Sequence, residues 1–374
     1  MPARAWTRLW ILAVALALAF AAPLAVGQPG RLHRIVAIGD LHGDFAAWRT
    51  VAAAAGLIDR RGRWAGGDTV LVQVGDVVDR GPDSRRIIQD LMRLQREALR
   101  RRGRVIALVG NHEAMNLTGD LRYVPASDYA AFVDNKSARR REEAYERNRA
   151  ALEVEYRAQN PDATPEAIKA AVIGATPLGM IERQAAWAPN GAIGRWVVGN
   201  PAVVLLDGTL FVHGGLCGRY ASMPVAEINR EVAAALAVRA TLLESIINDE
   251  TGPLWCRHLA ATEGGAGPGY QIDQSEAPAA QAGASEAPPS IASAQPAPPL
   301  SVAEQLDQLL ALQGAKRIVI GHTPILSGIA VLHGGRLVRI DTGISAVYGG
   351  KLTYLEILDG NLVPHVVDRP PPGQ

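Results

Sequence analysis

Five short segments of the sequence place potential metal ligands directly after apolar runs. Each segment contains glycine next to carboxylate, imidazole or amide side chains. The segments are GDLHGD, GDVVDRG, GNHE, VHGG and GHT, and their candidate ligands are Asp40, His42, Asp76, Asn111, His213 and His322. These nitrogen and oxygen donors suit Mn, Fe or Zn, and no thiolate is among them. One Gly-Asp pair is an ordinary turn, but five such segments in one chain indicate a metal site.

The segment GDVVDRG, residues 75–81, carries more than a ligand. It places a second carboxylate, Asp79, and a guanidinium, Arg80, within seven residues of each other and of Asp76. Aspartate and glycine are also common turn formers, so a polar turn after a strand is the simple alternative. The elements around the segment decide between a turn and a functional site.

Strands alternate with helices in the first part of the chain. The predicted strands end at the candidate ligands Asp40, Asp76 and Asn111, and the intervening helices are predicted at 45–58 and 83–103. This alternation is typical of βαβ units and predicts a mainly parallel sheet. Ligands of such sheets bind beyond the carboxyl ends of the strands, where these three residues lie.

The rest of the chain is predicted as follows. Residues 118–189 are strongly charged and helical in pattern, which indicates a helical insertion beside the site. Strands return at 202–215 as a hairpin around Asp-Gly, and a helical run follows at 225–247. Residues 263–300 are rich in Ala, Pro, Gly and Ser, which predicts a disordered loop. A strand at 316–322 and two final hairpins complete the pattern.

Composition and the N-terminal segment indicate which partners and which location to expect. The 374 residues are 48% hydrophobic, and 38 basic against 37 acidic residues give a net charge of +1, so no nucleic-acid partner is indicated. Two arginines precede an apolar run from Leu9 to Val26, and small residues follow it. This pattern predicts a signal peptide, residues 1–27, and an exported, periplasmic or secreted protein. The alternative is an uncleaved membrane anchor at 9–26, which would be the chain's contact with a membrane.

The sequence contains two cysteines, Cys217 and Cys256. In an oxidising compartment such a pair can form a disulfide. Two unpaired, buried thiols are the alternative, and the residues leave both open.

The five segments together resemble the calcineurin-like metallophosphoesterase superfamily, and VDRG and GNHE are similar to its phosphoprotein phosphatase branch. The segments GPLWCR and IDTGISAVYGGKL resemble the Shewanella-like phosphatases of that branch. The resemblance runs over residues 34–358, apart from the helical insertion and the 263–300 loop. It implies an α/β fold, the four-layer α/β/β/α sandwich with a helical insertion, in a catalytic domain at 28–374.

The resemblance also implies roles for individual residues. Asp40, His42 and Asp76 would hold one metal ion, and Asp76 would share the second with Asn111, His213 and His322. A metal-bridging hydroxide would attack phosphorus directly. His112, oriented by Asp79, would protonate the leaving oxygen as general acid. Three residues are candidate phosphate-binding groups: Arg80, Arg257 and Tyr348.

The expected activity is hydrolysis of phosphate monoesters, with a phosphoprotein as the expected substrate. Phosphoserine, phosphothreonine and phosphotyrosine all remain open. A dinucleoside polyphosphate hydrolase and a broad-specificity exported phosphoesterase are the alternative enzymes. A non-catalytic binding module is an alternative of another class, although all the ligand positions are present. Arg257 could instead be a surface arginine, and Tyr348 a packed tyrosine at a strand end.

Overall fold

The computed structural model describes residues 34–260 and 300–369. Its strands are β1 (Arg34–Ile38), β2 (Val70–Gln73), β3 (Arg104–Ala107), β4 (Val203–Leu206), β5 (Thr209–Val212), β6 (Arg317–Ile320), β7 (Ala330–Leu332), β8 (Leu337–Arg339), β9 (Leu352–Leu358) and β10 (Asn361–Val367). Its helices are α1 (Phe45–Ala54), α2 (Ser84–Leu99), α3 (Asn111–Thr118), α4 (Ala126–Ala130), α5 (Ser137–Gln159), α6 (Pro165–Ala175), α7 (Met180–Trp187), α8 (Ala192–Gly199), α9 (Val225–Ala237) and α10 (Val302–Gln313).

The strands form two five-stranded sheets in the orders β10-β9-β1-β2-β3 and β4-β5-β6-β8-β7. Strands β1, β2 and β3 are parallel, as are β5, β6 and β8. The remaining pairs, β1–β9, β9–β10, β4–β5 and β7–β8, are antiparallel. The expectation of a mainly parallel sheet was therefore wrong, because hairpin strands extend each parallel core and make both sheets mixed.

The sheets stack through a shared hydrophobic core, and helices cover their outer faces. Val36 and Leu71 of the first sheet belong to the same buried cluster as Leu210 and Ile318 of the second. Every residue of β2 and β5 is buried, as expected for strands that are covered on both faces. Helices α1 and α2 pack on the first sheet, and α9 packs on β4. The predicted four-layer α/β/β/α sandwich is confirmed.

Local sequence explains the individual elements. Helix α2 buries residues three or four positions apart, including Ile87, Leu91 and Leu94, so one apolar face meets the sheet. The hairpin of β4 and β5 turns at Asp207 and Gly208, whose φ angles of 47° and 76° fit a two-residue turn between antiparallel strands.

Helices α4 to α7 occupy most of the segment that was predicted as a helical insertion, residues 118–189. The helical run predicted at 225–247 is shorter than expected, because α9 ends at Ala237. Arg239, with φ of 54°, turns the chain and donates from Nε to the backbone oxygen of Leu117 at the end of α3. This hydrogen bond joins the turn after α9 to the end of α3.

Two predicted segments lie outside the described residues: the signal peptide at 1–27, and the 263–300 loop up to residue 299. Within the ranges 34–260 and 300–369, no helix is long and apolar enough to cross a membrane.

Candidate active site

The predicted ligand segments meet where the strands of both sheets end. Several side chains there lie on residues with left-handed backbone conformations: the φ angles are 40° at His42, 52° at Asp76, 69° at Asp79, 65° at Arg80 and 65° at His322. Each such conformation costs about 1–3 kcal/mol in a residue other than glycine. This concentration of unfavourable backbone at one place is typical of a functional site, where side-chain direction matters more than local stability.

Asp76 lies at the centre of the cluster. Its Oδ2 is 3.3 Å from His213 Nε2, 3.8 Å from His42 Nε2 and 3.9 Å from His112 Nε2. Its Oδ1 accepts a hydrogen bond of 3.0 Å from the backbone N–H of His112. Two groups with metal-binding geometry share Asp76, one with His42 and His112 and the other with His213 and His322. One carboxylate therefore faces two adjoining positions for an ion.

The imidazoles are oriented to leave their Nε2 atoms for a ligand. His213 Nδ1 lies 2.9 Å from the backbone oxygen of Val74, and His42 Nδ1 lies 3.2 Å from that of Val78. Each carbonyl fixes the proton on Nδ1, so Nε2 carries a free electron pair. His322 Nε2 is buried and has no hydrogen-bond partner in the described part of the chain. These donors fit a bound metal ion.

The structure places the other two predicted ligands at the edge of these groups. Asn111 Oδ1 is 2.9 Å from His213 Nε2. Both Asp40 carboxylate oxygens accept from the backbone N–H of His322, at 3.1 and 3.3 Å. Asp40 therefore lies beside the cluster, on the side of His322, and His112 lies close to His42 and Asp76.

Burial and mutual charge shift the pKa values of these groups in opposite directions. Burial lowers the pKa of His42 to about 3, helped by the neighbouring His112. Burial raises the pKa of Asp40, and the negative charges of Asp341 and Asp76 raise it further. Burial also acts to raise the pKa of Asp76, but the imidazoles of His213 and His112 outweigh it and hold the pKa well below the ordinary value. A neutral His42 imidazole beside an ionised Asp76 carboxylate is the combination of protonation states that metal binding requires.

His112 and Asp79 form a buried pair next to Asp76. His112 Nδ1 is 2.7 Å from Asp79 Oδ2. Burial lowers the pKa of His112, but the carboxylates of Asp76 and Asp79 outweigh burial and raise it above the ordinary value. Because Nδ1 is held by Asp79, Nε2 is the atom that can give a proton to a substrate.

Glu113, the last residue of GNHE, was not singled out in the sequence. Its carboxylate accepts backbone N–H groups of Asp76 and Gly110 on Oε2, at 2.9 and 2.8 Å, and of Val77 on Oε1, at 2.9 Å. It thereby joins the turn after β2 to the start of α3. Burial and repulsion from Asp76 raise its pKa to about 7. Glu113 shares the segment GNHE with the candidate ligand Asn111 and the candidate acid His112. That position was the sequence signal that could have indicated a role in the site.

We expect Glu113→Ala to destabilise the fold by at least about 3 kcal/mol, because three buried N–H groups lose their acceptor and each costs roughly 1–3 kcal/mol. Glu304→Ala is the matched control, since Glu304 has the same capping position at the start of α10 but is exposed. The control should lose about 1 kcal/mol. Urea unfolding measures both, and equal losses would contradict the role of Glu113.

Arg80 lies between two tyrosines at the mouth of the cluster. Its guanidinium carbon is 4.4 Å from the ring centre of Tyr123 and 5.3 Å from that of Tyr348. Tyr348 also lies 5.2 Å from the His42 ring, and Tyr123 lies 5.1 Å from the His112 ring. The rings restrict the guanidinium, whose planar fork suits two oxygens of a phosphate. Tyr123 was missed because it lies in the insertion, outside the five segments.

Arg257 lies across the same cleft, a cavity of about 1230 Å³ that Arg80, His112 and Tyr348 also line. Its Nη1 is 3.4 Å from Thr323 Oγ1 and 3.5 Å from the backbone oxygen of His322. The structure therefore brings eight of the eleven predicted site residues to the lining of one cleft. The other three, Asp40, Asp79 and His213, are buried and do not line it. Arg257 lines the cavity and lies near the buried Asp341, where burial raises the pKa of the Asp341 carboxyl and the charge of Arg257 acts to lower it.

Cys217 and Cys256 form a disulfide, with their Cα atoms 6.2 Å apart. The bond joins the loop after β5, which begins with His213, to the loop that carries Arg257. The backbone supports the same junction, since Gly214 N donates to the oxygen of Pro253 at 2.9 Å. Of the two arrangements that the sequence left open, the structure has the disulfide.

Reduction of this disulfide should destabilise the protein by about 3–4 kcal/mol, because it releases a loop constraint over a sequence separation of 39 residues. Hydrolysis should also slow, since Arg257 follows Cys256 directly. Urea unfolding and initial rates with and without reductant measure the two effects. The Cys217→Ala/Cys256→Ala protein is the control and should not respond to reductant. An unchanged unfolding midpoint for the native sequence would contradict the prediction.

Comparison with known proteins identifies the family of the chain. Residues 33–232 match the family model of the calcineurin-like phosphoesterases. The chain is 31% identical over 327 residues to Shewanella-like protein phosphatase 2 of Arabidopsis thaliana, covering 83% of this chain and 71% of that protein. It is 40% identical to Shewanella-like protein phosphatase 1 of Plasmodium berghei over 102 residues, 27% of this chain and 28% of that protein.

A solved structure gives the same fold. The cold-active protein-tyrosine phosphatase of a psychrophilic Shewanella species superposes with a TM-score of 0.59 at 20% identity, over 90% of this chain and 81% of that one. The fold of this family implies a centre of two metal ions, and the shared position of Asp76 between two donor groups fits it. The chain therefore belongs to the calcineurin-like phosphoesterase family, is similar to its Shewanella-like protein phosphatases, and is a metal-dependent hydrolase of phosphate monoesters.

Proposed function

We propose that this phosphatase acts on phosphoproteins, by direct attack of water on phosphorus and without a phospho-enzyme intermediate. The observation that carries the proposal is the convergence of Asp76, the His112–Asp79 pair and Arg80 on one cleft. Among these groups there is no unengaged nucleophile, because Asp76 faces three imidazoles and Asp79 is bonded to His112. A water molecule is therefore the expected attacking group.

The proposed ligand set has two parts. Asp40, His42 and Asp76 would hold one metal ion, and the other would be held by Asp76, Asn111, His213 and His322. Nitrogen and oxygen donors support Mn, Fe or Zn. When bound, such a pair of ions neutralises phosphate charge and makes the attacking water more acidic.

The side chains supply the remaining chemistry. Arg80 would bind two phosphate oxygens, held in place by Tyr123 and Tyr348. His112 would give its Nε2 proton to the leaving oxygen, and Asp79 would stabilise the charged imidazole through Nδ1. Arg257 would approach the phosphate from the other wall of the cleft. Binding, charge balance and proton transfer are thus divided among different residues.

The phosphoprotein substrate is supported by the names of the relatives and by the size of the cleft. A cavity of about 1230 Å³ is larger than a phosphate group needs, and it extends from His112 to Leu243 and Glu244 in the segment after α9. A peptide flanking the phosphorylated residue would fit such a space. Export is proposed as well, on the basis of the N-terminal apolar segment and the disulfide.

Substrate competition tests the proposal. The metal-loaded protein is offered matched phosphoserine, phosphothreonine and phosphotyrosine peptides, with p-nitrophenyl phosphate and diadenosine tetraphosphate in parallel. We expect one of the three phosphopeptides to have the highest kcat/KM of the substrates compared. A preference for diadenosine tetraphosphate would favour the alternative hydrolase, and a preference for p-nitrophenyl phosphate over every peptide would favour a broad-specificity phosphoesterase.

A further inference from the structure

A buried chain of polar side chains links His112 to the helical insertion. Asp79 accepts from His112, and Asn116 Nδ2 lies 2.9 Å from both Asp79 carboxylate oxygens. Asn116 Oδ1 accepts in turn from Arg183 Nη2, and Arg183 Nε donates to Asp128 Oδ2 at 2.7 Å. Asp128 belongs to α4 and Arg183 to α7, both in the insertion.

Arg183 lies where a charge is costly. Its side chain is 1% exposed, as is that of its partner Asp128. The guanidinium carbon lies 5.3 Å from the Trp187 ring centre and 5.6 Å from that of Tyr129, so apolar and aromatic groups surround the pair. Apolar residues of similar size usually pack as stably as a buried ion pair. Packing alone therefore does not account for a guanidinium here.

Arg183 fixes the acceptor end of the Asn116 amide, while Asp79 and the backbone oxygen of His112 accept from its NH₂ group. An amide has a donor end and an acceptor end, whereas Arg183 can only donate hydrogen bonds. Asn116 Oδ1 must therefore face Arg183, and its NH₂ group must face the Asp79 carboxylate. Without Arg183 the Asn116 oxygen would be buried without a donor, and the amide would be free to leave its present position to find one. Asp79 would then lose a donor that holds it beside His112.

We propose that Arg183 is a positioning residue for phosphate-ester cleavage. Acting through Asn116, it holds the Asp79 carboxylate in the orientation that directs the His112 imidazole toward the leaving oxygen. The inference rests on the proposed role of His112 as general acid. It makes the helical insertion part of the catalytic apparatus, because both ends of the Arg183–Asp128 pair come from that insertion.

The test replaces the ion pair without leaving a buried charge. The double variant Arg183→Met/Asp128→Leu should lower kcat on a phosphoserine peptide by about 10- to 100-fold, the usual effect of removing a partner that orients a functional side chain. Its kcat on p-nitrophenyl phosphate should fall much less, because that leaving group needs little protonation. KM and bound metal should stay near the native values.

Two further variants serve as control and as second test. Arg140→Met removes a half-exposed arginine that pairs with Glu182, which lies next to Arg183 in α7. This variant should keep the native kcat on both substrates. Asn116→Leu interrupts the series of hydrogen-bonded side chains at an uncharged residue and leaves the Arg183–Asp128 pair intact. It should reproduce the selective loss even where the double variant fails to fold.

A double-mutant cycle distinguishes failure of this inference from failure of the proposed function. In a His112→Asn background the Arg183→Met/Asp128→Leu change should cost little further activity, because both act through the same proton transfer. Equal losses on both substrates, additive losses in the cycle, or a double variant that behaves like Arg140→Met would overturn the role of Arg183. If His112→Asn itself slows both substrates equally, the general-acid role fails first and the inference fails with it.

Discussion

The Asp76→Asn enzyme is expected to lose about 10³-fold in phosphatase activity and to retain less metal. Metal ions supply several kcal/mol of transition-state stabilisation, and each 1.36 kcal/mol corresponds to a tenfold change in rate. Asparagine can still accept the backbone N–H of His112, so the turn after β2 should persist. However, its NH₂ group would meet the imidazole nitrogens that now face Asp76 Oδ2 at 3.3 to 3.9 Å. The change removes the one charge that both donor groups share.

Metal analysis of the purified protein and initial rates with a phosphopeptide measure the two effects. Asp90→Asn is the matched control, because Asp90 is also a buried aspartate but bonds Trp48 Nε1 and Arg93 away from the cleft. The control should lose stability and keep its full metal content. Native activity of Asp76→Asn with one equivalent of metal or none would exclude a shared bridging carboxylate.

The cluster of candidate ligands could be predicted from sequence because the signal for each is local. An apolar strand, a glycine and a donor side chain lie within about ten residues of one another, and parallel strands bring their carboxyl ends together. The same holds for hairpins such as β4–β5, where Asp207 and Gly208 specify the turn. Local rules therefore predicted the donors and most of the strands.

What the sequence did not reveal depends on contacts between distant residues. The pairing of β1 with β9 joins Arg34 to Leu358, and no local pattern indicates it. Arg183 looked like one of many arginines in a charged insertion, yet it is buried against Asp128. The turn after α9 is also bonded to a distant group, since Arg239 donates to the backbone oxygen of Leu117. Tertiary contacts decided each of these features.

The largest selective effect is expected for His112→Asn. This enzyme should keep its metal but lose about 10²–10⁴-fold in kcat on an alkyl phosphate such as a phosphoserine peptide, the usual contribution of a general acid. The structure gives the reason: Asp79 holds Nδ1 at 2.7 Å, and the carboxylates of Asp76 and Asp79 raise the pKa of His112 despite burial. The imidazole therefore holds its proton more strongly than an ordinary histidine does, and Nε2 is the nitrogen left for a substrate.

Leaving groups of different basicity reveal whether that proton is used. An alkoxide must be protonated as it departs, whereas p-nitrophenolate is stable without a proton, so the loss should shrink steeply from the alkyl to the activated aryl ester. His258→Asn is the control, because His258 lines the same cleft but is exposed and should leave both rates unchanged. A merely structural histidine would lower both rates alike by reducing the folded or metal-loaded fraction. Equal losses of rate on the two esters would thus show that His112 has a structural role only. The leaving oxygen would then have to take its proton from solvent.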